Sequence, residues 1–157
     1  MADSSAPIPV VVCGKAEIVG KPVAEGLKPE YEVVLFCLGA QSTAAEVPYI
    51  LQGVAPPTQS SQVGTGNYSS PPVAVIMGAA WDEADVALVK AAIRRSAEAG
   101  GTATAAPVIL RNDTSVPAPQ PPAPGYAEQL IRRMRLALGK LVRGEKLDGP
   151  EEGIVWY

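Results

Sequence analysis

The chain has 157 residues, a formal net charge of −3 and no histidine. Without imidazole there is no Ser-His-Asp triad, no Cys-His pair and no histidine metal ligand, and two cysteines are too few for a structural zinc site. The length fits one ordinary domain. Hydrophobic residues make up 47% and charged residues 18%, a balance that favours a packed core over general disorder. The slightly acidic charge argues against a nucleic-acid binder. Residues 1–7 are small and polar and lack the plan of a signal peptide, and no apolar run approaches the roughly 18 residues of a membrane span. The expectation is a soluble, cytoplasmic protein with no membrane partner and no metal.

Ile8 to Cys13 (IPVVVC) is a continuous apolar, β-branched run, the pattern of a strand covered on both faces. A helix signal follows, with Val19, Val23 and Leu27 on one face. Pro22 suits only a first turn, so this helix is expected to start near Gly20. Glu32 to Leu38 is a second buried-strand signal, stopped by Gly39. Thr43 to Glu46 has capping-box spacing, and some helix is expected between 43 and 52 despite Pro48. Residues 53–72 are rich in Pro, Gly, Ser and Gln and read as one long loop, a segment type that is often a functional lid or disordered.

Val73 to Met77 is a third strand. Asp82 stands where a helix N-cap belongs, with Asp85 three positions on, and that helix should end at Gly100-Gly101. Pro107 to Leu110 is a fourth strand, ending in Arg111-Asn112-Asp113. Residues 116–124 form a proline-rich connection, and the longest helix runs from Tyr126 to about Lys146. The tail, residues 148–157, carries an apolar Ile-Val-Trp-Tyr stretch whose Trp156 should dock on its own domain or on a second subunit.

Alternating buried strands and helices predict an α/β domain over residues 8–147, between an N-terminal tail (1–7) and a C-terminal one. Right-handed crossovers then give a four-stranded parallel sheet, order 2-1-3-4, with helices on both faces. In such a sheet the ligand crevice lies outside the carboxyl ends of the strands, centred on the switch point between strands 1 and 3.

That position selects residues without any motif. The first turn, C-G-K-A-E-I-V-G-K-P, brackets a helix N-terminus with two glycines, and Gly14, Lys15, Val19 and Gly20 are candidates to hold a phosphate. The second strand ends in Leu38-Gly39-Ala40, without the acid that usually bonds a ribose in NAD binders and without the Arg that would meet a 2′-phosphate, which leaves Gly39, Gln41 and Ser42 for neutral contacts, disfavours NAD and leaves NADP open. Gly78 ends the third strand. The catalytic candidates are Arg111 and Asp113, two apart at a strand end, Asp82, and Cys37 as a nucleophile that has no histidine to activate it. Each has a structural alternative. Asp82 can be an N-cap, Asp113 can close a turn, and Cys13 and Cys37 can be buried thiols rather than a disulfide or redox pair.

The stretch Val12 to Leu27 resembles the NADP-binding turn of methylenetetrahydrofolate dehydrogenase/cyclohydrolase, approximately V-x-G-R-S-x-x-V-G-x-P. Gly14, Val19, Gly20 and Pro22 match, whereas Lys15 and Ala16 replace the Arg and Ser. The family's folate-binding domain has no counterpart, so the resemblance implies the shape of the turn and not the reaction. Val12 to Lys15, Asn67 to Ile76 and Arg111 to Ser115 make the whole chain similar to small Rossmann-like proteins of filamentous fungi. That resemblance implies a three-layer Rossmann-like domain and a link to secondary metabolism.

Three functions stay open on this reading. The first is a small-ligand or nucleotide-binding protein, with an NADP-linked oxidoreductase as its enzymatic form. The second is a cofactor-independent isomerase, cyclase or lyase acting on a small metabolite. The third is a non-catalytic module, a homodimer held by the last helix and the Trp156-Tyr157 tail.

Overall fold

A computed structural model describes residues 7–100, 106–116 and 125–157. The continuously apolar runs become strands whose residues are buried on both sides, and the amphipathic runs become the helices that bury them. The order is β1 (Ile8–Gly14), α1 (Glu17–Leu27), β2 (Tyr31–Leu38), α2 (Ala40–Leu51), β3 (Ala74–Met77), α3 (Glu83–Gly100), β4 (Val108–Arg111), α4 (Tyr126–Val142) and β5 (Ile154–Trp156). All strands pair in parallel in one sheet, order β2-β1-β3-β4-β5. The four-stranded expectation is corrected here: Ile154–Trp156 pairs with Ile109–Arg111 as a fifth strand. Three residues beyond a glycine carry too little periodicity to read as a strand, and the adjacent open edge of β4 is what recruits them.

Period-two alternation sends residues of each strand to two separate cores. Val10, Val12, Phe36, Ile76 and Leu110 pack against Val23 and Leu27 of α1 and Leu130, Met134 and Leu138 of α4. Val11, Cys13, Cys37, Val75, Met77 and Ile109 pack against Val47 and Ile50 of α2 and Val86, Val89 and Ile93 of α3. A bulge in β2 lets Val10 pair with Val33 and Val11 with Leu35, so Val34 is the extra residue.

Local boundaries differ from expectation for definite reasons. Helix α1 starts at Glu17, three residues before Gly20, with Pro22 in its interior. The amide that Pro22 lacks would have met the carbonyl of Ile18 one turn earlier. Pro22 is exposed and Ile18 is 80% exposed, so that carbonyl faces solvent. Helix α2 starts at Ala40, with Gly39 as N-cap at φ 103°. The Thr43–Glu46 pair is therefore inside the helix and forms no capping box. Thr43 Oγ1 donates to the Gly39 carbonyl (2.8 Å) and Glu46 Oε2 accepts the amide of Ser60 (3.1 Å).

Residues 53–72 contain no helix or strand, as expected, yet their middle is pinned to the outer edge of β2. The Phe36 amide donates to the Val63 carbonyl (2.9 Å), and the amides of Thr65 and Gly66 donate to the carbonyls of Val33 (3.1 Å) and Val34 (3.0 Å). Ser61 Oγ donates to the Phe36 carbonyl (2.6 Å) and Ser60 Oγ accepts the Leu38 amide (2.8 Å). The expected end of α3 at Gly100-Gly101 and most of the 116–124 connection and the N-terminal tail fall outside the described residues, apart from Gly100, Val116 and Pro7.

Candidate functional site

The carboxyl ends of β1, β2 and β3 come together as the strand order requires. The Gly39 amide donates to the Gly14 carbonyl (3.0 Å), and the Gly78 amide donates to the Cys13 carbonyl (3.2 Å). The same carbonyl accepts the Trp81 indole N–H (3.2 Å), which lays Trp81 across the end of β1. Lys15 is exposed and its Nζ stands 5.5 Å over the Trp81 ring. Gly14, Lys15, Gly39, Gly78 and Trp81 thus share one edge.

The two glycines of the first turn have a packing task. A Cβ on Gly14 would meet the Phe36 ring at 2.7 Å, and a Cβ on Gly20 would meet it at 2.7 Å as well. Val19 is half-buried and packs against the same core. At the N-terminus of α1, Ala16 offers no side-chain cap, and Glu17 supplies a negative charge in the first turn. Its Oε2 accepts the Gln62 amide (2.9 Å) from the strap on β2.

The N-terminus of α2 is different. Gly39 has no side chain, and the first turn of α2 carries no acid. The first intrahelical bond is the one from the Thr43 amide to the Gly39 carbonyl (2.9 Å). The amides of Ala40, Gln41 and Ser42 precede it and have no intrahelical partner. Gln41 is exposed and Ser42 half-buried.

The four catalytic candidates do not converge. Asp82 caps α3 reciprocally with Asp85: the Asp85 amide donates to Asp82 Oδ1 (2.9 Å) and the Asp82 amide to Asp85 Oδ2 (3.1 Å). The Asp85 amide holds the Asp82 carboxyl below the usual carboxylate range. Asp113 closes a turn, accepting the amide (3.1 Å) and hydroxyl (2.6 Å) of Ser115, which lower its pKa in the same way. Arg111 stacks on Trp156, 5.5 Å from the ring centroid. Cys37 is fully buried, and burial followed by the negative charge of Glu46 keeps its thiol protonated far above the ordinary range.

Two features escaped the sequence reading. Tyr157 is buried; its hydroxyl donates to the Met77 carbonyl (2.9 Å), and Arg133 donates to the carbonyls of Tyr157 (2.7 Å) and Asp113 (2.9 Å). This ties β5, β3 and α4 together beside the crevice. Glu46 is 4% exposed, in the core beside Cys37. Its place was signalled by the buried stripe of Thr43, Val47 and Ile50, which runs past position 46 at helical spacing.

A cavity of about 590 Å³ opens at the opposite, amino-terminal end of the sheet, lined by Ile8, Pro72, Val73, Val108 and Leu141 among others. None of the candidate residues borders it. Among the described residues no group of three or more Cys, Asp or Glu is placed to hold a metal ion, and no helix is long and apolar enough to cross a membrane.

No family model matches the chain, and no solved structure matches it. Kojic acid related protein 6 of Aspergillus oryzae is 30% identical over 145 residues, which span 92% of this chain and 84% of that protein. A match of that length takes in every strand of the sheet or nearly so, and with it the crevice. The chain belongs to the family of the fungal Kojic acid related protein 6.

Proposed function

We propose that this is a small-ligand-binding protein of Rossmann-like character that takes an anionic group, a nucleotide phosphate being the leading candidate, at the N-terminus of α2. The observation that carries this reading is the contrast between helix ends at the crevice. The first turns of α1 and α3 are already occupied by Glu17 and by the Asp82–Asp85 pair. Helix α2 presents unpaired amides, no cap side chain and no acid. Lys15 stands on the adjoining turn, held there by Trp81. An anion at Gly39–Ser42 would meet both the positive end of the helix and a lysine.

The expected phosphate position moves accordingly, from the Gly14–Gly20 turn to the next helix. Gly39, Gln41, Ser42 and Lys15 remain its ligands. An NADP-linked oxidoreductase is the enzymatic form of this function. The relative's name associates that protein with kojic acid, and we carry the association over only as a place in fungal secondary metabolism.

The test is Gln41→Glu. A carboxylate in the first turn should stabilise α2 by roughly 0.3–1 kcal/mol. It should also weaken binding of NADPH or pyrophosphate, measured by calorimetric titration, by about tenfold. Lys15→Ala should weaken it further while leaving the melting temperature unchanged. No heat and no thermal shift with either ligand at millimolar concentration would sink the proposal. So would binding that is indifferent to Gln41→Glu.

A further inference from the structure

Cys13 and Cys37 end the first two strands side by side. They are register partners in the parallel β1–β2 ladder, and both side chains lie in the core between the sheet and α2. Both are fully buried and both are free thiols. Adjacent strands run about 4.8 Å apart, inside the roughly 4.4–6.8 Å Cα separation that a disulfide bridges. Registered residues on parallel strands project to the same face, so no backbone turn separates the two sulfurs.

The surroundings are polar where a core is normally apolar. The Glu46 carboxylate is buried near Cys37 and opposes loss of its proton. One of its oxygens accepts the Ser60 amide, and the other, Oε1, is buried without a partner. The Tyr68 hydroxyl is likewise buried and unpartnered.

We propose that Cys13 and Cys37 are a reversible disulfide site, oxidised when hydrogen peroxide reaches the pair. One thiol sulfur attacks one peroxide oxygen and the O–O bond breaks. That thiol's proton passes to the departing hydroxide, giving water and a sulfenic acid. The other thiol sulfur then attacks the oxidised one, the S–O bond breaks, and the second thiol's proton leaves with the second water. Two thiols and one peroxide become one disulfide and two waters, and two electrons pass from sulfur to oxygen.

Burial sets the conditions. It pushes the Cys13 thiol up to about 11 and Cys37 higher still, so both thiols rest protonated. Oxidation should therefore be slower than that of an exposed thiol, and limited to oxidants small enough to enter beneath Tyr68 and Ser60.

The experiment treats the full chain with hydrogen peroxide at neutral pH, then unfolds it in the presence of an alkylating agent and weighs it. The expected product is monomeric, lighter by two hydrogens, free of alkylatable thiols, and returned to two by dithiothreitol. Two thiols still alkylated after treatment overturn the proposal. Added oxygen atoms in place of the disulfide, or a covalent dimer, overturn it equally. Cys13→Ser and Cys37→Ser should each lose the disulfide and leave a sulfenic acid that dimedone labels. No labelling of either variant refutes the sulfenic acid step.

Discussion

The Phe36 ring decides what the first turn is for. It occupies the space that side chains at positions 14 and 20 would need, with a Cβ at either falling 2.7 Å from a ring atom. Gly20 sits inside α1, where replacing glycine with alanine ordinarily gains up to about 1 kcal/mol of helix propensity. Here the sign should invert. Phe36 is 1% exposed and packed between β1, α1 and α4, so it has no free direction in which to withdraw. Gly20→Ala should destabilise by roughly 1–3 kcal/mol, the usual range for overpacking a core. The double change Gly20→Ala with Phe36→Leu should recover part of that loss, as contacting sites do. Urea unfolding of the two singles and the double checks both. A stabilised Gly20→Ala would show that the ring moves freely and that the turn is open after all. The glycine spacing was legible in the sequence, but its purpose was not. The ring that demands it stands 16 positions beyond Gly20, and only the fold brings it there.

Between elements, the 53–72 segment acts as a strap that closes an edge. An exposed outer edge on β2 would present a row of unpaired amides and carbonyls to other chains. Val63, Thr65 and Gly66 satisfy part of that row with their own backbone, and Ser60 and Ser61 satisfy more with side chains. Val63 enters one core and Tyr68 the other, so the strap is anchored on both sides of the sheet. Gly64 is the tight point: it lies at φ 128°, and a Cβ there would come within 2.5 Å of the Val34 carbonyl oxygen. Gly64→Ala therefore combines backbone strain with a clash against main chain, and we expect a loss of roughly 2–4 kcal/mol. Amide exchange should report it locally, with the Phe36 and Leu38 amides exchanging faster while those of β3 keep their protection. Uniform loss across the sheet would mean that the strap and the sheet unfold as one unit. The loop itself was readable from its composition. The edge it covers was not, because a segment that pairs through irregular backbone and serine hydroxyls carries no period-two pattern. The helix boundaries failed for a related reason. Pro22 and the Thr43–Glu46 spacing are local signals, and exposure of Ile18 and the geometry of Gly39 overrode them.

At the level of the whole molecule, the last connection runs against the others. Helix α1 leads leftward to β2 on one face, and α2 and α3 lead rightward to β3 and β4 on the opposite face. These three crossovers share one hand. Helix α4 also leads rightward, to β5, but lies on the α1 face, so the β4–α4–β5 connection has the opposite hand. Such connections are rare because twisted strands and helices pack back the other way. Coverage explains this one. Helix α1 alone cannot bury Ile76 and Leu110, and Leu130, Met134 and Leu138 of α4 complete that core. Strand β5 is then fastened by side chains rather than by crossover packing. Tyr157 is the main fastener, through its bond to the Met77 carbonyl and the Arg133 bond to its own carbonyl. Tyr157→Phe removes one hydrogen bond and leaves the Met77 carbonyl to find another donor, which should cost about 1 kcal/mol. Tyr157→Ala also empties a buried ring site and should cost roughly 3–5 kcal/mol, or about 6–20 °C in melting temperature for a chain of this size. The same variant should free the Asp113 and Tyr157 amides, which bridge β4 and the segment after β5, to exchange well before the β1–β3 ladder opens. If Tyr157→Ala instead lowers protection evenly over all five strands, the fifth strand is integral to the fold's cooperative core, and the unusual hand of its connection carries no weakness.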